Sequence, residues 1–159
     1  MTNVSHQWER VESPEALFDD KSSPQWSDVL PVPALSVQEK GLIKRIAELS
    51  KLPNGWDSYG SPPISTLATT VAFSVVVGLG PDFLSYVNVV PVSGGGIQFE
   101  WDVLNRGLEV EISPTGAVEY LKSERNLSVE EGPIEDGSFS ELRSLIMWTV
   151  SAPPAEEAA

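Results

Sequence analysis

A chain of 159 residues with 41% hydrophobic content is long enough for one domain with a real core, plus tails. Ten basic against 23 acidic residues leave a net charge of −13, which repels phosphate backbones and argues against nucleic-acid binding through a basic face. No cysteine is present, so disulfides, thiolate chemistry and zinc–sulfur sites are out. No run approaches the roughly 18–20 apolar residues that span a bilayer. The first residues carry Glu9 and Glu12 without an apolar h-region, so no secretory signal is expected and a cytoplasmic location is. Acidity of this degree draws basic partners, and it also keeps a small protein soluble.

Residues 1–35 read as an arm rich in proline, serine and acidic residues, with Trp8, Leu17, Phe18, Trp26, Val29 and Leu30 spaced through it. Aromatics in that background suit a segment that docks on a surface, its own domain's or a partner's. Ser36 and Glu39 have capping-box spacing, and Leu42, Ile43, Ile46, Ala47 and Leu49 then recur at helical period until Pro53 stops them. Lys40, Lys44, Arg45 and Lys51 put four of the ten basic residues on this helix.

The next stretch, Pro53 to Ile64, holds Trp56, Asp57 and Tyr59 among glycines and prolines. A connector that only turned the chain would not need the aromatics, so Trp56 and Tyr59 are expected to pin the loop to the fold. A second helix starts near Ser65. Leu67, Ala68, Val71, Ala72, Val75, Val76 and Leu79 make it apolar over more than half its circumference, with a strand over part of 71–77 as the competing reading because of the β-branched residues there.

From residue 86 the period becomes two. Tyr86–Val90 reads as a strand ended by Pro91, and Ser93-Gly94-Gly95-Gly96 as a turn. Ile97, Phe99 and Trp101 alternate with Gln98, Glu100 and Asp102; after Asn105-Arg106-Gly107, Leu108, Val110 and Ile112 alternate with Glu109 and Glu111. Ala117–Leu121 is a further strand, 123–137 a polar loop, and Ser138 with Glu141 a second capping box opening a helix to about Val150. The fold class expected is α+β: a four-stranded antiparallel meander with two N-terminal helices and one C-terminal helix on one face. Residues 36–151 form this single domain, and 152–159 a disordered tail.

The chemistry is bounded mostly by exclusion. The only histidine, His6, lies in the arm, so no Ser-His-Asp or Cys-His set and no histidine metal site is available on the domain. The triple glycine is not followed by a lysine as in a phosphate loop, and no EF-hand pattern occurs. Neither cofactor nor metal is expected, and no enzyme activity. Catalysis by carboxylates alone survives as an alternative, a hydrolase centred on Asp57. An aspartate between two aromatics is either an acid with a raised pKa in an apolar pocket or, more commonly, the acceptor in its own Asx turn.

The wet face of the meander is the informative part. Its outward residues are Gln98, Glu100, Asp102, Glu109, Glu111 and Glu119, and a turn at Asn105-Arg106 would set Glu100 against Glu111 and Asp102 against Glu109. Like charges directly opposite each other cost stability. Three readings follow: a stripe that docks a basic partner or mimics a phosphate backbone, a solvated face that resists edge-to-edge pairing, or a metal or catalytic carboxylate site. Partner-binding residues on the first reading are Glu100, Asp102, Glu109 and Glu111 with Trp8, Phe18 and Trp26 of the arm.

The segments Gly55-Trp56-Asp57-Ser58-Tyr59-Gly60-Ser61-Pro62-Pro63-Ile64, Gly94-Gly95-Gly96-Ile97-Gln98-Phe99-Glu100-Trp101 and Leu108-Glu109-Val110-Glu111-Ile112 resemble a group of small bacterial proteins of unassigned activity. That group shares a W-D-x-Y-G-x-x-P loop before a helix, a G-G-I-Q-x-E-W strand and an acidic L-E-x-E-I strand. The resemblance covers about residues 36–121 and leaves out both tails. It implies common ancestry and a setting among mobile or defence-related elements, and it brings no catalytic residues. The function expected is non-catalytic protein binding, as an accessory or neutralising partner of the antitoxin, immunity or adaptor kind.

Overall fold

A computed structural model describes residues 34–135 and 138–151. Helix α1 (Val37–Leu49) opens on the expected reciprocal cap: the Ser36 hydroxyl accepts from the Glu39 N–H at 3.1 Å, and the Glu39 carboxylate accepts from the Ser36 N–H at 2.7 Å. Helix α2 (Thr66–Leu79) is capped by Ser65, whose hydroxyl accepts from Ala68 N at 2.9 Å. The β-branched run in α2 is helical, so the strand reading of 71–77 is overturned. Thr69, Thr70 and Ser74 return their hydroxyls to carbonyls four residues back, which suits a helix and no extended strand.

A short 3₁₀ turn (Pro81–Phe83) leads into strands β1 (Val87–Val92), β2 (Gly96–Val103), β3 (Arg106–Ile112), β4 (Val118–Glu124) and β5 (Leu127–Pro133), and α3 (Phe139–Val150) closes the described chain. The sheet is an antiparallel meander in the order β1-β2-β3-β4-β5. It has five strands where four are expected, because residues 127–133 of the supposed polar loop pair with β4. Strand β1 also runs through Pro91, which sits opposite Ile97. Arg45 Nε of α1 donates to the Val89 carbonyl, so Val89 turns its backbone outward; Pro91, two residues on, shares that orientation and forfeits no ladder bond.

All three helices cover one face. Ile97, Phe99 and Trp101 of β2 and Leu108, Val110 and Ile112 of β3 are buried with Ile46 and Leu49 of α1, Ala68, Ala72, Val75, Val76 and Leu79 of α2, and Leu142, Leu145 and Ile146 of α3. Trp101 is fully enclosed, and its indole N–H donates to the Phe83 carbonyl at 3.1 Å, so the 3₁₀ turn is tied to the core by a satisfied polar atom. Gly78 lets α2 and α3 close up: a Cβ there would run into the Phe139 ring. No helix among the described residues is long and apolar enough to cross a membrane.

Candidate functional site

The β2–β3 register places the carboxylates. Strand pairing sets Gln98 against Glu111, Glu100 against Glu109, Asp102 against Gly107 and Val103 against Arg106. The expected Glu100–Glu111 and Asp102–Glu109 pairings are therefore corrected. The chain reverses at Leu104-Asn105, with Leu104 at a φ of 55°, so Gly107 lies within β3 and not in the turn. Asp102 Oδ1 lies 3.2 Å from where a Gly107 Cβ would stand, and Ser123 Oγ lies 2.6 Å from it, so a side chain here would make Ser123 turn away.

On the next pair of strands Glu111 faces Glu119 and Glu109 faces Leu121, while Leu121 in turn faces Glu131 of β5. Gln98, Glu109, Glu111, Glu119, Leu121 and Glu131 line a concavity of about 440 Å³, completed by Tyr120, Gly132 and Pro133. Glu109, Glu111, Glu119 and Glu131 are all exposed. Two like-charge cross-strand pairs result, Glu100–Glu109 and Glu111–Glu119. Glu100 is braced by amides, accepting from Gln98 Nε2 at 3.1 Å and Asn88 Nδ2 at 3.2 Å. The ion pairs among the described residues are Lys44–Glu48, Arg106–Glu124 and Lys122–Glu130, and none of them includes a carboxylate of this face. No group of three or more His, Cys, Asp or Glu among the described residues is arranged to hold a metal ion.

Arg106 and Lys122 lie on the same strands but point to the helical side. They flank the Trp148 ring of α3 at 4.5 and 4.3 Å from its centroid. Arg106 bonds the Trp148 carbonyl and Glu124 Oε1, and Lys122 Nζ meets Glu130 at 2.5 Å. The lysine and the Tyr120 hydroxyl hold the Glu130 carboxyl below its ordinary range, and Glu130 in turn pushes the Tyr120 phenol up.

The outer edge of β5 is blunted. Ile134 N donates to the Val118 carbonyl, and alternation from that pair turns the backbone of Glu131 and Pro133 outward. Pro133 has no N–H to offer there. Ser128 pairs with Ser123 and Glu130 with Lys122, which leaves Val129 an unpaired bulge. A bulge and a proline on one short edge discourage strand addition.

The Trp56 loop is organised by Asp57. Its carboxylate accepts from Tyr59 N at 3.1 Å, Ser61 N at 2.8 Å, Ser61 Oγ at 2.6 Å and Ser93 Oγ at 2.6 Å. The Ser61 and Ser93 hydroxyls, with the Ser61 N–H, hold the carboxyl far below the usual aspartate range. A general acid needs a pKa near its working pH, and these bonds push the other way. Gly94 N donates to Ser61 Oγ, Ser65 N to Gly95 O, and Ser65 Oγ to Pro114 O, so the loop is stitched to the β1–β2 and β3–β4 turns. The loop and the triple-glycine segment thus touch each other directly.

Trp56 is half-buried and donates its indole N–H to Pro62 O at 3.1 Å, a bond that closes the loop on itself. Tyr59 corrects the expectation. It is 90% exposed, so its ring packs on nothing, and the loop is tied to the fold through Asp57 and Ser93 instead. Trp8, Phe18 and Trp26 lie outside the described residues. Glu131 is the member of the acidic face that sequence reasoning misses, since its strand reads as loop; the alternation of Leu127 with Ser128 and Val129 with Glu130 is the only trace. No protein-family model, curated protein or solved structure matches this chain.

Proposed function

We propose that this protein is a non-catalytic binding partner that engages a basic protein through the outer face of its sheet. The observation that supports this reading is the gathering of Glu100, Asp102, Glu109, Glu111, Glu119 and Glu131 on one face with no Lys or Arg paired to them among the described residues. An unneutralised face of this kind raises the encounter rate with a cationic surface and rejects anionic ones. The concavity between β2 and β5 gives a lysine or arginine several acceptors at once, and Leu121 and Pro133 offer its methylene stem an apolar floor. In this reading Trp8, Phe18 and Trp26 of the arm add apolar anchors. The role is that of an accessory or neutralising partner, of the antitoxin, immunity or adaptor kind, in keeping with the resemblance of the loop and strand segments.

A nucleic-acid mimic would need a longer line of charges than Glu109-Val110-Glu111 supplies along β3. The test is affinity capture from the source cells with the native protein and with a Glu100→Lys/Glu111→Lys variant. Capture of one basic protein that the folded variant no longer retains is the expected result. Equal recovery by both proteins refutes the reading.

A further inference from the structure

We propose that Asn54-Gly55 is a deamidation site held shut by the Asp57 hub, so that it reacts only when the hub opens. In an Asn-Gly pair the attacking backbone nitrogen belongs to a residue without a Cβ, which removes the usual steric barrier to ring closure. The step balances without any co-reactant but water. Gly55 N bonds to Asn54 Cγ as the Cγ–Nδ2 bond breaks, and the proton of the Gly55 N–H leaves with ammonia. Water then opens the succinimide at either carbonyl, leaving an aspartyl or an isoaspartyl residue at position 54.

Access favours the reaction. Asn54 and Gly55 are both exposed, Gly55 has a φ of 75°, and nothing lies within 4 Å of where its Cβ would be. What opposes it is the hydrogen bond from Gly55 N to the Ser61 carbonyl at 2.8 Å, which occupies the nucleophile. Ser61 cannot move alone. Its N–H and hydroxyl both bond Asp57, and its hydroxyl also accepts from Gly94 N at 3.1 Å, while Ser93 Oγ closes the same network on Asp57. Freeing the Gly55 nitrogen therefore means opening the contact between the loop and the β1–β2 turn. Once formed, the product is permanent: it adds a negative charge, and the isoaspartyl form adds a backbone carbon two residues before Trp56. The loop would not reclose on Pro62 O and Ser93 in its original geometry.

The test follows position 54 by peptide mass mapping of the full-length protein, folded and in urea, with Asn88, Asn105 and Asn126 in the same digest as references. Deamidation through local opening scales with the open population. Hydrogen bonds to a charged group are worth about a decade or more in that population. Asn54 is thus expected to react at least about tenfold more slowly in the folded chain than in the unfolded one. Asp57→Ala, checked for folding by circular dichroism, should recover about tenfold or more of that difference, and Ser93→Ala, which spares the Ser61 bonds, a smaller part. If Asp57→Ala does not fold, Ser93→Ala decides alone. Equal rates in folded and unfolded native protein, or an unchanged rate in the folded variants, overturn the proposal.

Discussion

Reversing two charges on the sheet face tests whether its carboxylates are as unneutralised as the strand register makes them. Glu109→Lys converts the Glu100–Glu109 pair into an attractive one, and Glu111→Lys does the same for Glu111–Glu119. The two substituted positions were alike in charge before and remain alike after, so their mutual repulsion cancels from the comparison. Each cross-strand pair moves from mildly unfavourable to mildly favourable, a swing of about 0.4–1 kcal/mol at an exposed site. Two such swings give about 1–2 kcal/mol, or roughly 4–8 °C in Tm for a domain of this size. The measurement is urea and thermal unfolding at low ionic strength and again in about 1 M salt, where the Debye length falls to about 3 Å and most of the gain should vanish. Asp82→Lys with Glu135→Lys makes the same change in net charge at exposed sites off the sheet face. A control that stabilises as much, or a reversed variant that is no more stable than the native protein, refutes the reasoning.

Three further outcomes are expected. Asp57→Asn lowers stability at neutral pH, and the deficit has a defined pH window: a depressed folded-state pKa contributes stability above the unfolded value near 4 and loses it as pH falls toward the folded one. Unfolding of variant and native protein should therefore converge only on acidification below about pH 4; a gap that closes between pH 7 and 5 contradicts this. Gly95→Ala places a Cβ 2.8 Å from the Pro63 carbonyl at a φ of 96°, which should cost about 1–3 kcal/mol by urea unfolding, and a neutral result would mean that the loop does not sit on this turn. Trp101→Phe leaves the Phe83 carbonyl without its buried donor and opens space beside Phe99, for a loss of about 2–4 kcal/mol read by thermal unfolding; a variant as stable as the native protein contradicts that packing.

Where the sequence was legible, the signal was local. Ser36, Ser65 and Ser138 cap the three helices, because an N-cap is specified by one side chain and a backbone N–H three residues on. The alternation in β2 and β3 was legible because those strands have a fully buried face. Strand β5 has almost none, so its residues carried no apolar period to read, and the unpaired Val129 broke what alternation remained. The turn before it, Arg125-Asn126, has both residues at positive φ and no glycine to announce it. Leu104 hid the β2–β3 turn in the same way, while Gly107 suggested one where the chain is extended. An Asx turn at Asp57 was legible from its neighbours, but Ser93, 36 residues away, was not. Tyr59 resembles an anchor because aromatic loop residues often are; its ring is exposed, and Asp57 makes the loop's bond to Ser93.

The charge on the outer face is a matter of register more than of composition. Strands β3 and β4 do carry cations: Arg106 precedes Glu109 and Glu111, and Lys122 follows Glu119. Side chains alternate faces along a strand, and both cations fall on the parity of Leu108 and Tyr120, toward Trp148 and the helices. There they meet carboxylates of their own, Glu124 and Glu130, so the inner edge of the sheet is balanced while the outer face is not. Moving Lys122 back by one position, to 121, would set it between Glu109 and Glu131. Strand β4 could thus have put a cation on this face at no cost in composition, and a sequence selected for stability alone had that option. A docking role gives the uncompensated glutamates a use that the stability of the isolated domain does not.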